Sequence, residues 1–215
     1  MQLLIKIYAL MPAELYLLRH GQTRFNAERR LQGQCNSPLT ALGERQAYAM
    51  GVTLKQHIRD IRQWQVVSSP LGRALQTAER VCAGLGISSE HIRTDARIQE
   101  VGLGQWEQRH IDEILASQPQ LQQQPDWYLK APQGEEFAAI RLRLNHWLAE
   151  LHANDRLIVI SHGLTGMILR ALLLQLPYEE IWQLERPQDA FYYYRHGDLQ
   201  KLNVAPDLLE LTAHQ

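Results

Sequence analysis

Short apolar runs alternate with longer amphipathic stretches along this chain, and the alternation predicts its elements. Leu15 to Leu18, Trp64 to Ser68, Ile92 to Thr94 and Leu157 to Ile160 are runs of strand length bounded by polar or turn-forming residues. Between them the spacing predicts helices. One runs from about Thr40, an N-cap, to His57; a second has Ser69 as cap and Pro70 at its first helical position and ends near Gly84 to Gly86. Others start at about Ile111, span about Glu135 to Leu151, and span Leu164 to Leu174, where Pro177 stops the last. Ala190 to Arg195 and Leu199 to Val204 flank His196-Gly197-Asp198, the best hairpin signal in the chain. Strands alternating with helices in this way predict an α/β three-layer sandwich, a mostly parallel central sheet with helices on both faces. Gln118 to Pro132, rich in Gln and Pro, reads as a lid or connector.

Composition narrows the picture. With 215 residues, 45% of them hydrophobic, the chain can bury one sizeable core. That predicts a single domain over residues 14–215, preceded by an extension at 1–13 in which Met1 or Met11 is the start. The net charge is −1 and the 22 basic residues are spread out, so no nucleic-acid partner is expected. Nothing approaches the roughly twenty apolar residues that span a bilayer, and the first residues lack a secretory signal's features, so no membrane partner is expected. Cys35 and Cys82 lack a C-x-x-C spacing, which argues against a disulfide framework or thiol-ligated zinc and for a reducing cytoplasm. The nine histidines show neither H-x-H nor H-E-x-x-H spacing, so neither metal nor cofactor is expected. Arg19, Arg24, Arg29, Arg30 and Arg73 form a local cluster suited to a small anion.

Two of those histidines carry the chemistry. Leu18-Arg19-His20-Gly21-Gln22-Thr23 and Ile160-Ser161-His162-Gly163 each follow a predicted strand directly, at the sheet edge where ligands bind in open α/β folds. One such histidine is more often a packing residue; two with polar company are another matter. Arg19, Asn26, Arg73 in the first turn of the second helix, and Glu100 add cations, a neutral donor and a carboxyl group. A phosphate monoester is a dianion, and a nucleophile approaches it only when fixed positive charge holds its oxygens. Arg19, Arg73, His162, Asn26 and Gly163 suit that task, arginine's planar fork matching two oxygens at once. Neutral imidazole is a competent nucleophile, a role for which His20 is the candidate and His162 the alternative, and an alkoxide leaving group needs a proton donor, for which Glu100 is the candidate with Glu107 as runner-up. Trp106 is expected to pack in the core.

The motifs R-H-G-x-T-x-x-N at Arg19 to Asn26, Gln32-Gly33, S-S-P-L-x-R-A-x-Q-T-A at Ser68 to Ala78, E-x-x-x-G-x-W-E at Glu100 to Glu107 and Ser161-His162-Gly163 resemble the histidine phosphatase superfamily, the phosphoglycerate mutase-like enzymes. The resemblance runs from about Leu15 to Tyr192. It implies a phosphohistidine formed on His20, with the other ring nitrogen held by a backbone carbonyl, and electrostatic stabilisation by His162. It also implies catalytic roles for His20, Glu100 and His162, phosphate contacts from Arg19, Arg73, Asn26 and Gly163, and substrate contacts from Thr23, Gln32 and Gly33. The implied partner is a small phosphorylated metabolite, with inorganic phosphate or vanadate able to occupy the same pocket.

The chain departs from that pattern in places. Gln133-Gly134-Glu135-Glu136 stands where many relatives have G-G-E-S, and Gln108 replaces a usual Gly. The length, and the lack of the acid segment of cofactor-dependent mutases, favour water as final acceptor; with cationic residues able to replace a divalent ion, the expectation is a metal-independent phosphomonoesterase. Gly104 to His110 and Gly134 to Phe137 look most like α-ribazole-5'-phosphate phosphatases of cobalamin assembly. A cofactor-dependent mutase that returns the phosphoryl group to a hydroxy acid is the first alternative; a non-catalytic phospho-ligand binding module is the second. Leaving-group specificity is expected in the Arg24 to Arg30 loop and in Gln118 to Pro132.

Overall fold

Strands β1 (Glu14–Arg19) and β4 (Arg156–Ser161) are buried along almost their whole length in the computed structural model, which describes residues 13–210. Burial on both faces explains why they read as continuous apolar runs rather than as alternating ones. Leu15 and Leu17 pack into one core with Leu157 and Val159, while Tyr16 and Leu18 pack into the other with Ile158 and Ile160. With β2 (Gln65–Ser68), β3 (Arg93–Thr94), β5 (Ala190–Arg195) and β6 (Asp198–Asn203) they form a six-stranded sheet in the order β3-β2-β4-β1-β5-β6. The β1–β4, β4–β2 and β2–β3 pairs are parallel; β5 runs antiparallel to both β1 and β6.

The helices are α1 (Arg24–Ala27), α2 (Ala41–His57), α3 (Gly72–Leu85), α4 (Ile111–Ser117), α5 (Phe137–Ala149), α6 (Gly163–Leu174), α7 (Tyr178–Ile181) and α8 (Pro206–Glu210). Helices α2 and α3 cover one face of the sheet, α5 and α6 the other. The α/β sandwich expected from the sequence is therefore the observed fold.

Most predicted elements appear with small shifts. Thr40 caps α2, its hydroxyl accepting from Gly43 N at 3.1 Å, and Gly86 closes α3 in the left-handed conformation. Ser69, by contrast, is not the cap of α3, and Pro70 is not its first residue: Leu71 is the cap and the helix starts at Gly72. The Ser69 hydroxyl does make a cap-like bond, accepting from Leu71 N at 3.2 Å, but Leu71 itself is extended at ψ 135°, which delays the helix to Gly72. Helix α5 starts at Phe137, since Glu135 is drawn aside to pair with Arg143 at 2.6 Å. Helix α6 stops at a left-handed Gln175, ahead of Pro177, which instead precedes α7. The hairpin turn is His196-Gly197, both at positive φ, and Asp198 already belongs to β6.

The segment 118–132 is anchored rather than loose. It contains two short 3₁₀ turns, Pro119–Gln123 and Trp127–Lys130, and buries Leu121, Trp127 and Ala131 in the core, with Trp127 against Trp106 at 5.6 Å between ring centroids. The predicted extension at 1–13 and the choice between Met1 and Met11 lie outside the described residues, apart from Ala13, which is buried. Among the described residues, no helix is long and apolar enough to cross a membrane.

Candidate active site

The parallel registers Arg19↔Ser161 and Ser68↔Ile160 align the carboxyl ends of β1, β4 and β2 at one edge of the sheet. The chain leaves β1 toward α2 and β2 but leaves β4 toward α6 and β5, so this edge is a switch point where a crevice opens. His20 follows β1 and His162 follows β4, and their ring centroids are 5.2 Å apart. A cavity of about 410 Å³ opens there, lined among others by Arg19, His20, Asn26, Arg73, Glu100 and Gly163.

His20 is 2% exposed, and its Nδ1 lies 2.8 Å from Gly21 O. A carbonyl only accepts, so Nδ1 carries the proton and Nε2 keeps its lone pair. Burial, then the positive charges of Arg73 and Arg19, push the imidazole well below its ordinary pKa, outweighing the contrary pull of the Gly21 carbonyl. His162 is depressed likewise by burial, Arg73, His20 and Arg19. It is buried and does not line the cavity; its Nε2 lies 2.7 Å from Ser69 Oγ, and its buried Nδ1 has no partner among the described residues.

Arg73 enters from the first turn of α3 and is 1% exposed. Its two terminal nitrogens donate to Cys35 O at 2.9 Å and Gly33 O at 2.7 Å. Arg19 donates from Nη1 to Arg186 O, and burial together with the Arg186 charge lowers its pKa to about 10. The buried Nε of each arginine has no partner among the described residues. A desolvated guanidinium with unmet donors is poised for an anion.

Glu100 is held at the start of α6. One oxygen accepts from Val101 N and Thr165 N at 3.0 and 2.9 Å, the other from Leu164 N at 3.2 Å. Asn26 Oδ1 accepts from Thr23 N and Gln188 Nε2, which leaves its own N–H groups for a ligand. Gln32 and Gly33 line the cavity, and Gln32 Oε1 is buried without a partner among the described residues. Gly33 has φ of +53°, and a Cβ there would stand 2.1 Å from Glu107 Oε1, so only glycine fits.

Other expected residues lie elsewhere. Thr23 is fully buried as the N-cap of α1, in a reciprocal box with Asn26, and does not line the cavity. Glu107 does not line the cavity; it accepts from Gln34 N and Leu103 N and so braces the Gly33 turn. Of the arginine cluster, Arg24 is exposed and Arg29 pairs with Asp112, while Arg30 reaches the wall already paired with Glu28. Trp106 is a core residue.

Sequence reasoning missed Tyr128, Arg186, Gln188 and the contact made by Ser69. Arg186 donates to Tyr128 Oη at 3.1 Å across the cavity wall, and its guanidinium lies 5.0 Å from the Tyr128 ring centroid. Both come from irregular segments without hydrophobic periodicity, so only Tyr128's place in the suspected lid pointed toward it. Among the described residues, no group of three His, Cys, Asp or Glu is placed to hold a metal ion.

Comparison with known proteins identifies the family and the fold. The sequence profile of the histidine phosphatase superfamily, branch 1, matches residues 15–201. The probable phosphoglycerate mutase GpmB of Klebsiella pneumoniae is 38% identical over 172 residues, 76% of each chain. Among solved structures, the α-ribazole phosphatase of Shigella flexneri superposes with a TM-score of 0.71 at 25% identity, covering 89% of this chain and 95% of that one. A mycobacterial glucosyl-3-phosphoglycerate phosphatase solved with VO3 gives 0.70 at 26% identity, covering 89% and 97%.

Proposed function

The chain belongs to the histidine phosphatase superfamily, branch 1, and on that premise we propose that it is a metal-independent phosphomonoesterase acting on small phosphorylated metabolites through a phosphohistidine. The observation that carries this reading is the His20 ring, whose Nδ1–H donates to Gly21 O at 2.8 Å and so leaves Nε2 free at the cavity floor. Arg19 and Arg73 hold the equatorial phosphoryl oxygens with Asn26, Gly163 and His162. Nε2 attacks phosphorus, the bond to the leaving oxygen breaks, and Glu100 gives that oxygen its proton. Water then attacks the phosphohistidine, Glu100 takes the proton, and His20 departs with its lone pair restored. Gln32, Gly33, Tyr128 and Arg186 bound the space for the leaving group.

Incubation with a labelled phosphomonoester, quenched in alkali, tests this directly. An acid-labile, base-stable phosphoryl label that maps to His20 and forms in excess chelator is the expected result. A label stable to acid, or turnover abolished by chelator and restored by metal, overturns the reading.

The likeness to a probable phosphoglycerate mutase favours a second reading, in which a bound hydroxy acid replaces water as acceptor. With 3-phosphoglycerate and a bisphosphoglycerate primer, release of phosphate faster than isomerisation supports the hydrolase; the reverse order assigns the mutase. The α-ribazole phosphatase likeness makes α-ribazole 5'-phosphate a substrate to test. Two free cysteines suit a cytoplasmic setting.

A further inference from the structure

Arg170 is a buried cation that the chemistry above does not use. It lies on α6, 5% exposed, and it does not line the cavity that holds His20 and Arg73. Its Nε donates to Gly166 O at 3.2 Å, its Nη2 donates to Glu185 O, and its guanidinium lies 4.0 Å from the Tyr192 ring centroid. The Glu185 carboxylate turns outward to Lys201, so Arg170 takes only the carbonyl of that residue. Burying a guanidinium against carbonyls and a ring is costly compared with an apolar side chain of similar size.

What Arg170 holds is the strap Glu185–Gln188, which crosses the site between α7 and β5. The Arg186 carbonyl accepts from Arg19 Nη1, while Gln188 Nε2 donates to His20 O at 3.2 Å and to Asn26 Oδ1 at 3.1 Å. Three groups assigned to the phosphoryl site are thus fastened to four consecutive residues, and Arg170 grips the first of these from below. Tyr192, beneath the guanidinium, belongs to β5 and pairs with Leu17 of β1, which ties the anchor to the strand that ends in Arg19.

We propose that Arg170 is a positioning residue: through the Glu185–Gln188 strap it sets the orientation of the Arg19 guanidinium toward the phosphoryl group, without touching the substrate itself. The inference rests on the assignment of Arg19 to that group. Displacing a catalytic group by an ångström costs up to about a hundredfold in rate.

The test is a double-mutant cycle between Arg170→Met and Arg19→Met, with kcat on p-nitrophenyl phosphate, vanadate affinity and the thermal midpoint as readouts. Methionine fills the buried volume but leaves Glu185 O without its donor, so the midpoint should fall only modestly, while kcat and vanadate affinity of the folded variant fall by on the order of tenfold or more. In the Arg19→Met background the same change should cost less than about twofold. A folded Arg170→Met enzyme with wild-type kcat, or equal losses in both backgrounds, overturns the proposal and leaves the site reading intact. Wild-type turnover in Arg19→Met alone overturns both. Should Arg170→Met fail to fold, Arg170→Lys carries the same cycle, because one ammonium cannot reproduce the guanidinium's paired grip on Gly166 O and Glu185 O.

Discussion

Ser69 Oγ and His162 Nε2 lie 2.7 Å apart, joining the turn after β2 to the residue after β4. The Ser69 oxygen already accepts from Leu71 N. With its hydroxyl hydrogen turned to Nε2, the proton of the neutral imidazole sits on Nδ1, the buried nitrogen with no other partner among the described residues. On the proposed reading, His162 then offers that N–H to the phosphoryl group. Ser69→Ala removes this bias, and kcat should fall by on the order of tenfold, short of the roughly hundredfold or greater loss for deleting an oxyanion donor as in His162→Ala. Steady-state kinetics of both variants check the order; a Ser69→Ala enzyme at wild-type rate would leave the tautomer to another group.

Arg19→Ala and Arg73→Ala should each lose about a hundredfold or more in kcat and bind vanadate poorly. They should differ in stability. Arg73 also clamps Gly33 O and Cys35 O, so its removal frees two buried carbonyls and should lower the thermal midpoint more than Arg19→Ala does. Near wild-type turnover in either variant would place the phosphoryl site elsewhere.

Burial and the neighbouring arginines hold His20 and His162 well below the ordinary imidazole pKa of 6.5. Two consequences follow with definite signs. First, His20 stays unprotonated below pH 6.5, so the fall of kcat/KM attributable to this nucleophile should lie on the acid side of that value. Second, the unfolded chain takes up protons below pH 6.5 that the native state refuses. Stability from these groups is therefore complete above that pH and is lost as the pH falls toward the native pKa values, by about 1.4 kcal/mol per pH unit for each histidine. Urea titrations between pH 5 and 7.5 should show this slope, and His20→Asn should remove its share. A flat profile would mean the rings titrate normally.

How far the sequence reveals this molecule depends on where its order is local. The central strands announce themselves because burial on both faces forces apolar runs such as Leu157 to Ile160, and Thr40 reveals the start of α2 because its cap bond is made within three residues. Ser69 misleads because its cap-like bond to Leu71 N is followed by an extended Leu71 rather than a helical turn, while the same hydroxyl also serves His162, 93 residues away. The same division runs through the site. His20, Arg19 and Arg73 sit in motifs tied to strand ends or a helix start, whereas Glu100 is legible through its motif alone, being held by backbone groups 64 and 65 residues away, and Arg186 reaches the cavity, with Gln188 bracing it, from an irregular strap that only tertiary packing delivers. Thr23 and Asn26 share one motif yet part company, the first spent on capping α1 and the second reaching the cavity wall.

Glu100 and Glu107 are both carboxylates of the E-x-x-x-G-x-W-E element, and leaving-group chemistry separates their roles. Only Glu100 lines the cavity; Glu107 braces the Gly33–Gln34 turn from outside it. Glu100→Gln is not a silent change in structure, because the new amide must turn an N–H toward a backbone N–H now held by a carboxylate oxygen, either that of Leu164 or those of Val101 and Thr165. The informative quantity is therefore a ratio, in which such damage divides out. A nitrophenolate leaves unprotonated, whereas a sugar or nucleoside alkoxide does not, and general acid catalysis is worth about 10² to 10⁴ in rate. Under single-turnover conditions with phosphorylation of His20 rate-limiting, Glu100→Gln should approach that loss on alkyl phosphates while largely sparing p-nitrophenyl phosphate. Glu107→Gln keeps an amide oxygen for Gln34 N and Leu103 N, which both donate to one carboxylate oxygen, so it should change the thermal midpoint little and leave the ratio of the two rates unaltered. Equal losses on the two substrates in Glu100→Gln would confine Glu100 to holding the head of α6, and a selective loss in Glu107→Gln would move the proton donor to the outer carboxylate.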